Sequence, residues 1–178
     1  TGALISNIAI GKNALNSTGG NAHSNSIAIG DGAMTANLTS AANGTVAIGY
    51  TALSALTSGA GNIAVGFQAM LENTTGEKNI AIGHGAMDQS GGEYPADSDN
   101  NTFIGFDSGG GDWSAGANSV NEYNVCVGNL TMNKALAGAN NNAAFGYSAL
   151  LNHTSGDSNT GVGAYAGYTI TTGTNNTC

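Results

Sequence analysis

The sequence is poor in charge, in aromatic residues and in proline. Of its 178 residues, 8% are charged, 6% are aromatic and one is proline. Three Lys and Arg against eleven Asp and Glu give a net charge of −8. This balance argues against nucleic acid and anionic membrane surfaces as partners, because both need clustered cations. No apolar run approaches the roughly 18 residues of a membrane-spanning helix, so we expect no membrane span.

Cysteine is scarce and glycine is abundant. Cys126 and Cys178 are too isolated to make a disulfide framework or a zinc site, and we interpret both as small apolar residues. The 29 glycines are more than twice the number that average usage of about 7% would give. Glycine, Asn and Thr also recur every few positions and are poor helix formers, so long helices are not expected.

A five-residue motif recurs nine times along the chain. The first copy is Asn-Ile-Ala-Ile-Gly at 7–11, and later copies are degenerate, such as Asn-Thr-Phe-Ile-Gly at 101–105. The final glycines of successive copies are 17 to 23 residues apart. A period of this length with one short strand in each unit is typical of a solenoid. These anchoring glycines are Gly11, Gly30, Gly49, Gly66, Gly83, Gly105, Gly128, Gly146 and Gly163.

The repeats predict one all-β domain over 1–178, a parallel β-solenoid (β-roll) of about nine coils. Ala-Leu or Ala-Met follows most anchors by three and four residues, and a polar turn with glycine then leads to the next unit. Two units are longer than the others, which predicts enlarged loops at 84–101 and 106–123. Stacked strands also predict an amide ladder along the axis. Its members are Asn7, Asn62, Asn79, Asn101, Asn124, Asn142 and Asn159.

The two faces of the strand are expected to differ in role, because alternate side chains point to opposite faces. We expect the branched residue before each anchor to fill the core and the preceding alanine to lie at an interface between chains, where small side chains allow a close approach. The predicted core ladder is Ile10, Ile29, Ile48, Val65 and Ile82. The predicted oligomer interface is Ala9, Ala28, Ala47, Ala64, Ala81 and Ala144.

The repeat unit resembles two families of fibrous proteins. Ala-Ile-Gly-Tyr-Thr-Ala-Leu at 47–53 and Asn-Thr-Thr-Gly at 73–76 are similar to repeats of bacteriophage tail fibres that carry a self-cleaving C-terminal chaperone. The unit also resembles that of trimeric autotransporter adhesin heads, although its repeats are longer. The resemblance covers nearly the whole chain. It implies a left-handed roll, a homotrimer, and an extracellular location on a virion tail fibre or a bacterial cell surface.

The resemblance implies a non-enzymatic fibre or adhesin module that displays receptor-binding loops. No Ser/His/Asp set has a spacing that the repeat would bring together, so we expect no catalytic residues and no enzyme. The alternative is a purely structural subunit of a self-assembling extracellular filament without a specific receptor. Residues 176–178 align with the strand of earlier repeats, and no cap is visible at either end. We therefore expect a piece of a longer fibre, or end-to-end stacking of neighbours.

The enlarged loops carry the candidate binding residues. They hold the only Trp, the only Pro and seven of the eleven acids, and aromatics beside carboxylates suit a cell-surface glycan or a protein receptor. The other interpretation is a solvated insertion whose aromatics pack on the rod. Asp97, Asp99 and Asn101 alternate as in a calcium loop but lack its glycine and glutamate, so an Asx-rich turn is the other interpretation there. The candidate receptor-binding residues are Tyr94, Asp97, Asp99, Trp113 and Tyr123.

Overall fold

Nine short strands make up the regular structure in the described part of the protein. The computed structural model describes residues 6–16, 24–39, 42–90, 98–113 and 120–178. Within these ranges every strand has three residues and all nine form one parallel sheet in sequence order, with no α-helix. The predicted parallel β-solenoid is thereby confirmed. The strands are β1 (Ile8–Ile10), β2 (Ile27–Ile29), β3 (Val46–Ile48), β4 (Ile63–Val65), β5 (Ile80–Ile82), β6 (Thr102–Ile104), β7 (Val125–Val127), β8 (Ala143–Phe145) and β9 (Thr160–Val162).

The register of the sheet matches the repeat alignment. Each strand places its first, second and third residues opposite the same positions of the next strand, as in Ile63 opposite Ile80 and Ala64 opposite Ala81. The two long units do not disturb this register, since β5 still pairs with β6 and β6 with β7. The sheet therefore keeps one register through both long units.

The glycine that ends each strand is required by the backbone. All nine anchoring glycines have φ between 127° and 144°, beyond the region that residues with a side chain adopt. A Cβ built on Gly66 would lie 2.6 Å from the carbonyl carbon of Gly83 and would also overlap its oxygen. The column of glycines thus lets successive coils approach each other at one corner.

The second corner of most coils holds a large core side chain. Leu53, Met70 and Met87 lie there with φ of 50° to 52°, an unusual conformation for such residues. Hydrogen bonds between coils hold it: Leu53 N donates to Ala69 O at 3.1 Å and Met70 N donates to Ala86 O at 2.9 Å. Their side chains are fully buried.

The alanine side of the sheet faces the core, so the predicted assignment of the two strand faces is wrong. In the described chain, Ala28, Ala47, Ala64, Ala81 and Ala144 are fully buried, together with Phe103 and Cys126 at the same strand position. They contribute to the interior and do not form an oligomer interface. Ala9 in β1 is exposed.

The branched residues of the predicted core ladder point outward instead. Ile10 is 58% and Ile82 is 38% exposed, and Ile29, Ile48 and Val65 are partly exposed. The coil is narrow, and its interior is already filled by the Leu and Met side chains of the opposite corner. Only a small side chain fits between them and most of the strands, because protein interiors are close-packed.

The predicted asparagine ladder is confirmed. The buried Asn101 donates from Nδ2 to Asn79 Oδ1 at 3.1 Å, and its Oδ1 accepts from Asn124 N at 3.0 Å and from Asn124 Nδ2 at 3.1 Å. The same pattern continues through Asn142 and Asn159. Each of these side-chain amides therefore bonds to the preceding coil and to the following one. These bonds satisfy polar groups that have no access to water.

Candidate functional site

The outward side of the sheet is an uncharged apolar surface. We define the outer face as the first and third residues of β1 to β9. Eight intervals of about 4.8 Å give this face a length of about 38 Å. The large apolar side chains on it that are at least about a third exposed are Ile8, Ile10, Ile63, Ile82, Val125, Val127, Phe145 and Val162. No position of the face carries a charged residue.

A row of rings runs beside the outer face. The residue after the anchoring glycine is aromatic in several coils, and Tyr50, Phe67, His84 and Phe106 stack in succession. Their centroids are 5.2, 4.8 and 5.4 Å apart, with interplanar angles no larger than 29°. The ring faces cover one another, so the row presents ring edges to its surroundings. It widens the apolar surface, and its inner rings, Phe67 and His84, have both faces covered by their neighbours.

Two interacting carboxylates, Asp88 and Asp107, lie where the repeat first lengthens, and Asp107 is beside His84 of the ring row. Partial burial and the Asp107 carboxylate raise the pKa of Asp88, and partial burial raises the pKa of Asp107, an effect that His84 opposes. His84 Nδ1 lies 4.0 Å from Asp107 Oδ1. In the described part of the chain, no three His, Cys, Asp or Glu side chains converge as a metal site requires. The pair is a local source of repulsion between neighbouring coils.

Two of the candidate receptor-binding residues are brought together at the surface. Tyr123 is 54% exposed, and its backbone N–H donates to the carbonyl of Asp99 at 3.3 Å. The Asp99 carboxylate accepts from the backbone N–H of Glu77 at 2.6 Å. Tyr94 and Asp97 lie outside the described residues. Among the described members of the predicted site, the exposed side chain is therefore that of Tyr123, whose backbone is bonded to Asp99.

Trp113 is a core residue, so its assignment to a receptor surface is wrong. It is 5% exposed and its ring lies 5.6 Å from that of Phe103, at an angle of 57°. Phe103 replaces the alanine of other strands, and the indole packs against it inside this coil. The indole N–H has no hydrogen-bond partner among the described residues.

The described residues of the suggested calcium loop make other contacts. Asn101 is fully buried, and its Oδ1 belongs to the asparagine ladder. Asp99 Oδ1 accepts a hydrogen bond from the backbone N–H of Glu77. Both residues thus use side-chain oxygens to join neighbouring coils, and the third, Asp97, lies outside the described ranges.

The two cysteines occupy equivalent inward strand positions but have different surroundings. Cys126 is buried, and burial raises the pKa of its thiol well above the usual range. It packs with Met132, the two sulfur atoms being 3.2 Å apart. Cys178 is exposed. The interpretation of Cys126 as a small apolar residue agrees with this packing.

The outer face and the ring row were not recognised from the sequence as a site. The signal for the row was present, because Tyr, Phe, His, Phe and Tyr follow anchoring glycines 49, 66, 83, 105 and 146. The signal for the outer face was the branched residues of each strand, which the sequence pattern places in the core. Both features become evident once the direction of the alanine column is known.

Comparison with family models, curated proteins and solved structures found no match. Across the ranges that the structure describes, no helix is long and apolar enough to span a bilayer. Function must therefore be argued from the surface that the fold presents.

Proposed function

We propose that the chain is a structural module of an extracellular fibre whose copies associate side by side through the outer face. The observation that carries this proposal is the uncharged face of Ile, Val and Phe side chains along the nine strands, which are exposed on six strands and partly exposed on β2, β3 and β6. A contiguous apolar surface of this length is unusual on a monomer and marks an interaction site.

Electrostatics favours this face over the rest of the surface as the contact. Each copy carries a net charge of −8, so copies repel one another at long range. The outer face has no charged position, and the neighbouring ring row adds aromatic edges, a composition that protein interfaces favour at their centre. Contact there buries apolar area without bringing carboxylates into apposition.

A homotrimer is the form we propose for the assembly. Its three-fold symmetry and its left-handed roll follow from the resemblance of the repeats to tail fibres and adhesin heads. With the rolls side by side and parallel, their outer faces would enclose a common apolar core. Such a core supplies the buried area that a narrow single coil lacks.

The internal architecture suits a spacer that holds a binding element away from a particle or a cell. Successive coils are joined by the parallel strands, by the glycine column and by the asparagine ladder. In such a quasi-one-dimensional array each repeat is supported by its neighbours. Receptor contact is proposed for the exposed Tyr123 beside Asp99, with a glycan or a protein as the partner.

A charge on the outer face tests the assembly. We expect Ile82→Glu to shift the chain to a slower-sedimenting species in sedimentation velocity, because three carboxylates would enter one apolar core. The matched control is Gln89→Glu, which adds the same charge at an exposed turn position and should leave the assembly intact. Equal sedimentation of the parent and both variants, with circular dichroism showing all three folded, would contradict the proposed interface.

The alternative, a filament subunit without a receptor, predicts a different dependence on concentration. End-to-end polymerisation gives particles that lengthen as concentration rises, whereas a closed trimer keeps one mass. Electron microscopy and light scattering over a concentration series distinguish the two. A folded Tyr123→Ala trimer that no longer binds cells recognised by the parent would support the receptor contact, and unchanged binding would exclude Tyr123 from it.

A further inference from the structure

One buried histidine interrupts an otherwise apolar column near the C-terminal end of the solenoid. Backbone hydrogen bonds from Ala137 N to Thr154 O and from Thr154 N to Thr171 O align three successive coils. The residues just before these, Leu136, His153 and Ile170, therefore stack along the axis. His153 is fully buried, with Leu136 on one side and Ile170 on the other.

The hydrogen bonding of His153 suits the neutral ring and not the charged one. Its Nε2 lies 2.9 Å from the carbonyl oxygen of Gly156, so Nε2 carries the proton that is donated there. Nδ1 is buried and has no hydrogen-bond partner among the described residues. A second proton on Nδ1 would place an unpaired N–H and a positive charge in the core.

Few charged groups near His153 would offset the positive charge that a second proton brings to its ring. Asp157 is the one whose charge favours the protonated ring, but it acts against a larger cost of burial, and the pKa of His153 is lowered from 6.5. The Asp157 carboxylate is already used by the backbone and side-chain amides of Asn140. In the adjacent coils Lys134 and Tyr168 are the nearest titratable positions along the chain, and neither contributes to the shift.

We propose that His153 makes the C-terminal coils, residues 136–178, an acid-sensitive segment that opens while the coils at 45–82 stay closed. Local opening is possible because each coil contacts only its neighbours. The equivalent column at 45–82 contains Leu56 and Asn73, which bear no titratable group. The proposal stands independently of the side-by-side assembly.

The direction of the effect follows from proton linkage. A histidine whose pKa is lower in the folded state binds more protons when its segment is open. Its stabilising contribution is present above about pH 6.5 and is lost as the pH falls below that value. The opening equilibrium rises by up to about tenfold for each unit by which folding lowers the pKa.

Hydrogen exchange read by mass spectrometry tests the proposal on the whole chain. Exchange, corrected for the intrinsic effect of pH, is compared at about pH 7.5 and about pH 5 for the parent, for His153→Asn and for His153→Leu. Asn reproduces the residue of the equivalent coil, and Leu reproduces the stacked neighbour, so at least one folded variant is expected. His84→Asn removes an exposed imidazole as a control.

The expected result is an acid-induced increase in opening over 136–178 in the parent and in His84→Asn. The same increase should be absent from 45–82 and from every folded His153 variant. Uniform acid sensitivity along the parent chain would overturn the proposal. So would a folded His153 variant that retains the acid response of 136–178.

Discussion

Gly66→Ala should destabilise the solenoid far more than a glycine substitution in an open turn. Gly66 has φ of 144°, and a Cβ there would lie 2.6 Å from the Gly83 carbonyl carbon and 3.2 Å from His84 N. Backbone strain costs about 1–3 kcal/mol, and forcing two packed backbones apart costs a further 1–3 kcal/mol or so. The expected loss in the free energy of unfolding is therefore about 2–6 kcal/mol.

Gly138→Ala is the control that separates strain from steric overlap. Gly138 has φ of 79°, and a Cβ there meets no atom within 4 Å. Its substitution should lower the free energy of unfolding only by the cost of the left-handed conformation, about 1–2 kcal/mol. Urea unfolding followed by circular dichroism measures both variants against the parent. If Gly66→Ala costs no more than Gly138→Ala, the close approach of the glycine column is refuted.

Four further substitutions test the orientation of the strand, the ladder and the carboxylate pair. Ala64→Asp should prevent folding of its coil, because it buries an unpaired carboxylate. The adjacent Ile63→Asp should leave the chain folded by circular dichroism, since Ile63 is 36% exposed. If Ile63→Asp unfolded the chain and Ala64→Asp did not, the branched residues would belong to the core. Asn124→Ala should cost about 1–3 kcal/mol in urea unfolding, because Asn142 N loses its buried acceptor. A loss below about 0.5 kcal/mol, as for an average surface substitution, would contradict the ladder. Asp107→Asn should raise the thermal midpoint at neutral pH by relieving repulsion with Asp88, and the gain should vanish at a pH low enough to protonate the pair.

The strands and their register were predictable because the same signal occurs nine times. A three-residue strand is too short to identify from one copy, but the recurring Gly after it marks its end, and the Asn, Ser or Thr before it marks its start. The amide ladder followed from the same alignment. Repetition thus converted a weak local preference into a reliable prediction of the fold.

Which face of the strand points to the core was not predictable from hydrophobicity alone. Amphipathic patterning places Ile63 and Val65 inside and Ala64 outside, whereas the structure does the opposite. The deciding factor is the width of the coil, which depends on how far Leu53 and Met70 reach across from the other corner. That distance is a property of the assembled coils and is absent from any single repeat.

Trp113 was misplaced for a related reason. It was assigned to a projecting loop because its unit is long, but it follows its anchor by eight residues, as Leu38 and Leu136 follow theirs. Both leucines are fully buried, so counting from the anchor would have placed the indole in the interior. Tyr123 lies at the end of its unit, just before β7, and is exposed.

The mass of the purified parent chain in solution tests the central claim most directly. Light scattering coupled to size exclusion should give three times the chain mass of 17.5 kDa, unchanged on dilution through the micromolar range. A folded species of 17.5 kDa at all concentrations would show that the exposed face of Ile, Val and Phe side chains does not join copies of the chain.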